Sequence, residues 1–161
     1  MTHLVALLLN PKTGDSITTT EKNVSIAAKI LGAETFEMTN LSSVATKDGP
    51  ELNSIAIKRD VWSPARQEIV DAISRADIIL AAWGKQQFAG KARREFGDQC
   101  VWVLAELEKH RFNYVVTLDG LPRHPSRWRM YLGPQRGIYI GGSFESRLEL
   151  ALRSTPITNL Q

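Results

Sequence analysis

The chain has 161 residues with 43% hydrophobic and 23% charged content and a formal net charge of +3, values typical of one soluble globular domain spanning residues 1–161. No apolar run reaches membrane-spanning length, so no membrane span is predicted, and the only cysteine, Cys100, excludes an internal disulfide. A lone cysteine fits a small core residue in a reducing compartment, and we expect a cytoplasmic protein.

The first third of the chain predicts two strands separated by a helix. An apolar run from His3 to Leu9 indicates a strand buried on both faces. Helical spacing from Thr20 predicts a helix that ends near Gly32. Alternation over Glu34 to Leu41 predicts a second strand ending at Asn40, and the polar residues 42–61 predict a long loop.

The remainder of the chain continues this alternation. Ser63-Pro64 predicts a helix start, and the apolar residues 77–83 predict a buried strand that breaks at Gly84. Four further elements are predicted: a helix capped by Asp98 and carrying Val101, Leu104 and Leu107, a strand over residues 113–118, a short edge strand over Ile138–Ile140, and a last helix over Ser143–Arg153. Asp119-Gly120 is predicted to turn the chain after the 113–118 strand.

Alternating strands and helices predict an α/β fold with three α/β/α layers and a mainly parallel central sheet of four or five strands. Ligands of such sheets bind beyond the carboxyl ends of the strands. Asn10, Asn40, Gly84 and His124 each follow a predicted strand, His124 within the loop that continues from Gly120. We therefore expect these four positions to converge on one rim of the sheet.

The loop of residues 121–129, LPRHPSRWR, is stiff and basic. Pro122 and Pro125 fix the backbone around His124. Between Gly120 and Phe144 there is no Asp or Glu, and the local charge is +4 from four arginines, Arg123, Arg127, Arg129 and Arg136. This concentration of positive charge predicts an anionic partner.

Several of these residues have two interpretations. His124 is either a neutral imidazole that donates to a developing oxyanion or a half-buried histidine that holds the loop together. Asn10 before Pro11 commonly starts a turn, and Asn40 commonly bonds loop backbone. Trp128 either covers the core edge or wedges against nucleic-acid bases. The basic residues Lys85, Lys91, Arg93 and Arg94 form either a solvated face or part of a nucleic-acid surface.

Four short motifs carry a resemblance to a known family. They are LLLNPKTGD at 7–15, TNL at 39–41, AAWG at 81–84 and GLPRHPS at 120–126. From Leu4 to Leu132 the chain resembles DUF1643, an uncharacterised family whose members share an LNP-type strand end, an NL element, an AAWG strand end and a G-x-PRHP loop. Residues 16–21 lack the Asp-Pro-Thr associated with that family.

The same elements, in the same order, resemble the uracil-DNA glycosylase superfamily, most closely its mismatch-specific uracil/thymine branch. Leu9-Asn10-Pro11 is similar to the GxNPG or GxDPY motif without its glycines. Residues 83–88 are similar to the LGKQAY-like strand end of that branch. His124-Pro125-Ser126 is similar to the HPSP loop, with Arg127 in place of the second proline.

This resemblance implies roles for individual residues. Asn10 positions the hydrolytic water, His124 stabilises charge on the departing base, and Asp15 is a candidate substitute for the carboxylate that Asn10 lacks. Asn40 reads the base edge, with Pro11 and Gly84 beside it. DNA contacts are implied for the loop and for the basic segment that follows Gly84: Arg123, Ser126, Arg127, Trp128, Arg129, Lys85, Lys91, Arg93 and Arg94.

The leading hypothesis is therefore a monomeric DNA glycosylase that hydrolyses the N-glycosidic bond of a flipped, modified or mismatched pyrimidine in single- or double-stranded DNA. The alternatives are a non-catalytic nucleic-acid or nucleobase-binding module with the same pocket, and a hydrolase of free nucleosides or nucleotides. No cofactor is expected, and no metal, because His3, His110 and His124 lack ligand spacing. The absence of acidic residues near the loop favours a polyanion over a neutral nucleoside.

Overall fold

A computed structural model describes residues 1–136 and 138–161, and these residues form five strands and six α-helices. The strands are β1 His3–Leu8, β2 Thr35–Asn40, β3 Ile78–Ala81, β4 Tyr114–Leu118 and β5 Leu152–Pro156. The helices are α1 Thr19–Ile30, α2 Gly49–Lys58, α3 Arg66–Arg75, α4 Gly90–Lys109, α5 Trp128–Tyr131 and α6 Phe144–Ala151. The sheet order is β2-β1-β3-β4-β5, with every pair parallel except β4 and β5.

Strand β1 is buried on both faces, as its unbroken apolar sequence predicts. Val5 and Leu7 belong to a core that includes side chains of α2, α3 and α4, whereas Leu4 and Ala6 belong to a second core that includes side chains of α1 and α6. Successive residues of a strand face opposite sides of the sheet, so the two cores lie on its two faces. The prediction of three α/β/α layers around a mainly parallel sheet is confirmed.

Helix α2 lies within the residues 42–61 that the sequence predicts as loop, so that prediction is wrong over its second half. The Asp48 carboxylate accepts a hydrogen bond from the Glu51 backbone N–H at 2.8 Å, and Glu51 accepts one from the Lys47 N–H at 2.8 Å. These bonds satisfy donors that a helix start leaves unpaired. The pattern D-G-P-E, with Pro50 in the first turn, is the local signal for this start.

Helix α4 begins at Gly90, eight residues before the predicted cap Asp98, which instead lies inside the helix. Ala89 precedes the helix and makes no side-chain capping bond. Leu104 and Leu107 are buried as predicted, but Val101 is 63% exposed. The sequence does not reveal this start because Gly90 and Gly97 both disfavour a helix. Packing of the buried side chains of α4 stabilises the helix despite these two glycines.

The carboxyl-terminal part corrects two further predictions. Ile138–Ile140 forms no strand, and Ile140 is 86% exposed. The last helix begins after Ser143, whose hydroxyl accepts from the Ser146 N–H at 3.1 Å, but it ends at Ala151. Residues 152–156 form β5, which pairs antiparallel with β4.

The strand order changes direction between β1 and β3. The chain leaves β1 through α1 to reach β2 on one side, and returns through α2 and α3 to reach β3 on the other. Such a reversal leaves a crevice between the carboxyl ends of the two central strands. No helix within the described residues is long and apolar enough to cross a membrane.

Candidate functional site

Two adjoining clefts lie at the carboxyl ends of the parallel strands. The larger has a volume of about 830 Å³ and the smaller about 380 Å³. They share four lining residues: Asn10, Lys47, His124 and Ser126. The two clefts therefore adjoin at these four residues.

The predicted convergence on one rim is confirmed, because Asn10, Asn40, Gly84 and His124 all line one cleft or the other. Pro11 and Asn40 line the smaller cleft. Four residues predicted for this site line the larger cleft alone: Gly84, Lys85, Arg123 and Arg127. Six predicted site residues line neither cleft: Asp15, Lys91, Arg93, Arg94, Trp128 and Arg129.

Gly84 brings the end of β3 against the His124 loop. Its backbone has φ +80° and its N–H donates to the Pro122 carbonyl at 2.6 Å. A Cβ at this position would lie 3.0 Å from the His124 Cβ. The left-handed conformation and the close approach both require glycine, so Gly84 shapes the rim by having no side chain.

His124 is held in one tautomer by its own loop. Its Nδ1 accepts a hydrogen bond from the Ser126 backbone N–H at 3.3 Å and lies 2.9 Å from the Ser126 hydroxyl. A backbone N–H only donates, so Nδ1 carries no proton and the neutral ring carries its proton on Nε2. Burial, and secondarily the charge of Arg127, lowers the pKa of His124 to about 4. The ring is therefore neutral at pH 7 and offers an Nε2–H donor.

A buried asparagine on α1 fixes this loop from beneath. Asn23 is 1% exposed, and its amide nitrogen donates to the Pro125 carbonyl at 2.7 Å. The residues are 102 positions apart in sequence. Sequence reasoning missed Asn23, since a polar residue on a helix carries no sign of its distant partner.

Asn10 is bound through its amide nitrogen. Nδ2 donates to the Thr46 hydroxyl at 2.8 Å and to the Thr46 carbonyl at 3.1 Å. Thr46 is 4% exposed and connects the end of β1 to the segment before α2. With its nitrogen engaged, Asn10 retains its amide oxygen as an acceptor for a ligand or water.

Asn40 presents an unused amide in the smaller cleft. Its side-chain oxygen is buried and has no hydrogen-bond partner within the part of the chain that the structure describes. Leu8, Pro11 and Met38 line the same cleft and give it apolar walls. A buried acceptor without a partner carries a desolvation cost. Because this oxygen has almost no accessible surface, a ligand N–H in the cleft reaches it only if the Asn40 amide turns toward the cleft.

The positive charge of the clefts comes only partly from the loop of residues 121–129. Five cationic side chains line them: Lys12, Lys47, Lys85, Arg123 and Arg127. Lys12 is paired with Glu21 at 3.3 Å, and Asp48 is the one carboxylate among the described lining residues. Sequence reasoning missed Lys12, Lys47 and Asp48; the capping pattern before α2 was the available signal for the last two.

Trp128 does not reach the surface, which contradicts its predicted role as a wedge in DNA. Its side chain is 0% exposed and packs in the core that includes Leu4 and Leu118. The indole N–H donates to the Arg123 carbonyl at 2.8 Å. Trp128 therefore covers the core and anchors the loop.

The other residues outside the clefts have contacts elsewhere or lie in solvent. The Arg129 guanidinium carbon lies 4.0 Å from the centre of the Phe144 ring, and Lys91 pairs with Glu95 at 3.5 Å. Asp15 is exposed and does not replace the carboxylate that Asn10 lacks within either cleft. Cys100 is half-buried in the wall of the larger cleft, and burial raises the pKa of its thiol to about 12.

No group of three or more His, Cys, Asp or Glu side chains suited to a metal ion occurs among the described residues. Comparison with curated proteins and with solved structures yields no match. Residues 1–126, which include every strand that contributes to the clefts, match the model of a protein family of unknown function. The chain is therefore a member of the DUF1643 family.

Proposed function

We propose that this protein hydrolyses the N-glycosidic bond of a pyrimidine in DNA, with the base bound in the smaller cleft. The observation that carries the proposal is that two residues suited to a base line that cleft together: His124, whose neutral ring carries its proton on Nε2, and Asn40, whose side-chain oxygen has no partner among the described residues. The motif resemblance to the uracil-DNA glycosylase superfamily suggests the same roles for these residues.

Asn40 supplies base recognition in this proposal. An amide offers one acceptor and one donor side by side, which complements the N–H and carbonyl on the pairing edge of a pyrimidine. The buried oxygen of Asn40 has no other partner among the described residues. The apolar walls formed by Met38 and Pro11 suit the faces of a flat ring.

His124 supplies the catalytic hydrogen bond. Cleavage of the glycosidic bond leaves negative charge on the base, which collects on a carbonyl oxygen. A neutral imidazole N–H held in place before the reaction stabilises that charge without reorganisation. Its depressed pKa keeps the ring neutral, so it donates a hydrogen bond and keeps its proton.

Asn10 holds the attacking water. Because Thr46 engages the amide nitrogen, the amide oxygen is the group available to orient water beneath the sugar. An amide orients water but does not remove its proton, so the reaction depends on a departing base that is already a good leaving group. This favours modified or mismatched pyrimidines over the standard bases.

A second candidate function is a binding module that recognises a flipped base without excising it. One observation favours it: within the described residues no carboxylate lines the smaller cleft. A glycosylase gains from a carboxylate that stabilises a cationic sugar, whereas a module that only binds needs none. The third hypothesis is a hydrolase of free nucleosides or nucleotides. The cationic lining of both clefts argues against neutral nucleosides as its substrates but is compatible with nucleotides.

The deciding experiment is a screen of oligonucleotides that carry uracil, mismatched thymine or modified pyrimidines, followed by alkaline cleavage at abasic sites. If the proposal is correct, at least one substrate is cut. On that substrate His124→Ala loses about 100- to 1,000-fold in single-turnover rate, the effect of removing one preorganised donor.

His110→Ala is the matched control, because His110 lies at the end of α4 and lines neither cleft. It keeps the wild-type rate. Specific binding of a modified base without excision would support the binding module. Full activity in both His124→Ala and Asn10→Ala on a verified substrate would show that the site is assigned wrongly.

A further inference from the structure

The larger cleft is not occupied by the base in the proposed reaction. Its volume of about 830 Å³ lies in the range of small-molecule binding pockets. It adjoins the smaller cleft through the wall formed by Asn10, Lys47, His124 and Ser126. A polymer that places one unit in the smaller cleft therefore brings its neighbouring unit to the larger one.

The lining of the larger cleft combines apolar and cationic groups. Leu9 and Trp83 are buried, and the rings of Phe96 and Tyr131 are half-buried in the same wall. Lys85 and Arg127 are exposed at this cleft and form no ion pair within the described residues. A flat ring that carries a phosphate matches both kinds of surface.

Arg123 supplies a second observation that points to a ligand. Its guanidinium carbon lies 3.9 Å from the centre of the Tyr131 ring, and its buried Nε has no hydrogen-bond partner in the described part of the chain. A buried charged donor without an acceptor is unfavourable. The buried Nε is out of reach of the cleft, but the two Nη groups are not buried and make no hydrogen bond among the described residues, so they can donate to a phosphate oxygen or a base carbonyl in the cleft.

We propose, on the basis of the proposed function, that the larger cleft binds the nucleotide adjacent to the target base, and that the substrate is consequently single-stranded DNA. Two consecutive bases held in two separate clefts are both unstacked and both unpaired. A duplex would have to lose two base pairs to satisfy this geometry, whereas a single strand loses only stacking.

The test measures binding, so it is independent of excision. Thymidine monophosphate, the dinucleotide pTpT and two pTpT analogues with one base removed are titrated by calorimetry. The analogues keep the phosphates of pTpT, so they separate base binding from charge. We expect pTpT to bind about tenfold tighter than either analogue, because a stacked base contributes that much.

Two variants test whether the additional affinity of pTpT comes from the larger cleft. Cys100→Phe fills part of its wall, and Lys85→Glu reverses an exposed charge on its rim without disturbing the core. Each is expected to lower the affinity for pTpT to that of the analogues while leaving the affinity for the monophosphate unchanged. Arg94→Glu, an exposed charge outside both clefts, keeps the full gain.

Three outcomes would overturn this inference: equal affinity for pTpT and both analogues, an undiminished gain in Lys85→Glu and Cys100→Phe, or tighter binding of a duplex than of its single strand. If a verified substrate is cut but pTpT and both analogues bind with equal affinity, the second subsite is ruled out and the proposed function is unaffected. The tenfold gain without any excision would support the subsite and remove the enzymatic role.

Discussion

His124 shows how the backbone of its own loop determines the chemistry of a side chain. Pro122 and Pro125 stiffen the chain around it, and the Ser126 N–H occupies its Nδ1. The ring is half-buried and bonded within the loop, as the structural interpretation of the sequence expects, and it also lines both clefts. The interpretation as an oxyanion donor stays a prediction. Nδ1 holds the ring in the loop, whereas Nε2 is the nitrogen that can donate a hydrogen bond.

The depressed pKa of His124 predicts a loss of stability in mild acid. The pKa is about 4 in the folded protein against an ordinary 6.5, so between these pH values the unfolded chain binds a proton that the folded chain does not. The free energy of unfolding therefore falls as the pH is lowered through this window. Urea titrations at pH 7 and pH 4.5 measure this fall. Between these two pH values the free energy of unfolding of His124→Gln should fall by about 1–2 kcal/mol less than that of the wild type. An identical pH dependence in both proteins would contradict the assignment.

Replacing Asn10 by aspartate would supply the carboxylate that this position lacks, but we expect the change to destabilise the protein and not to create activity. A carboxylate at this position would lose the hydrogen bond to the Thr46 carbonyl and would face that oxygen at 3.1 Å. It could keep the Thr46 hydroxyl as a partner only if that hydroxyl turned away from the Asp48 carbonyl to donate to it. We expect Asn10→Asp to lower the free energy of unfolding at pH 7 by about 1–3 kcal/mol and to gain no activity. Thermal unfolding at pH 7 measures the loss. Asn159→Asp, at an exposed position near the end of the chain, serves as the control.

At the scale of elements, α2 is the helix that sequence periodicity did not reveal. It is ten residues long and buries only Leu52 and Ala56 within its span, so its apolar signal is weak. Its start is fixed by side chains and not by burial. Because Lys47 and Asp48 line the larger cleft, that start also determines part of the site.

The helix start predicts a specific pair of substitutions. Asp48→Ala removes the capping acceptor and should destabilise the protein by about 1 kcal/mol, whereas Asp48→Asn keeps an acceptor of similar quality and should cost only a few tenths. Equilibrium unfolding in urea separates the two variants. Equal losses in both would show that the charge of Asp48, and not its hydrogen bond, stabilises α2.

Physical reasons explain which strands and site contacts the sequence predicts and which it does not reveal. Strands β1 and β3 were predicted because a strand buried on both faces is apolar almost throughout, as in residues 78–83, whereas β2 was predicted from its alternation. The edge strand β5 was missed because only Thr155 of its five residues is buried, so its pattern is not apolar. The convergence of Asn10, Asn40, Gly84 and His124 followed from topology, whereas the contacts of Asn23 and Thr46 depend on packing between distant segments.

For the whole molecule, the placement of charge matters more than its sum of +3. The cations that line the clefts come from separate parts of the chain and meet only in the fold. Arg129 and Lys91, predicted from the sequence as part of the same surface, are engaged with Phe144 and Glu95 instead. The cationic surface at the clefts accordingly contains fewer of the predicted basic residues than the sequence indicates.

This placement predicts the salt dependence of oligonucleotide binding. If Lys47, Lys85, Arg123 and Arg127 each neutralise one phosphate, the log–log slope of affinity against salt on a single strand is about −3. Lys85→Ala should make the slope shallower by about 0.7, and Arg129→Ala should leave it unchanged. Fluorescence anisotropy from 50 to 300 mM salt is the measurement. Salt-independent binding would exclude a role for phosphates.

Strand β5 has a consequence for aggregation. It pairs with β4 at five positions, from Tyr114↔Pro156 to Leu118↔Leu152, and places Arg153 and Pro156 on the outer edge of the sheet. Charged residues and proline on an edge strand discourage pairing with other chains. The family match ends at residue 126, so in this chain the segment that protects β4 lies outside the matched region. A variant shortened to residues 1–126 would expose the edge of β4 and lose Trp128 from the core, and it should form intermolecular β-sheet in preference to the native fold.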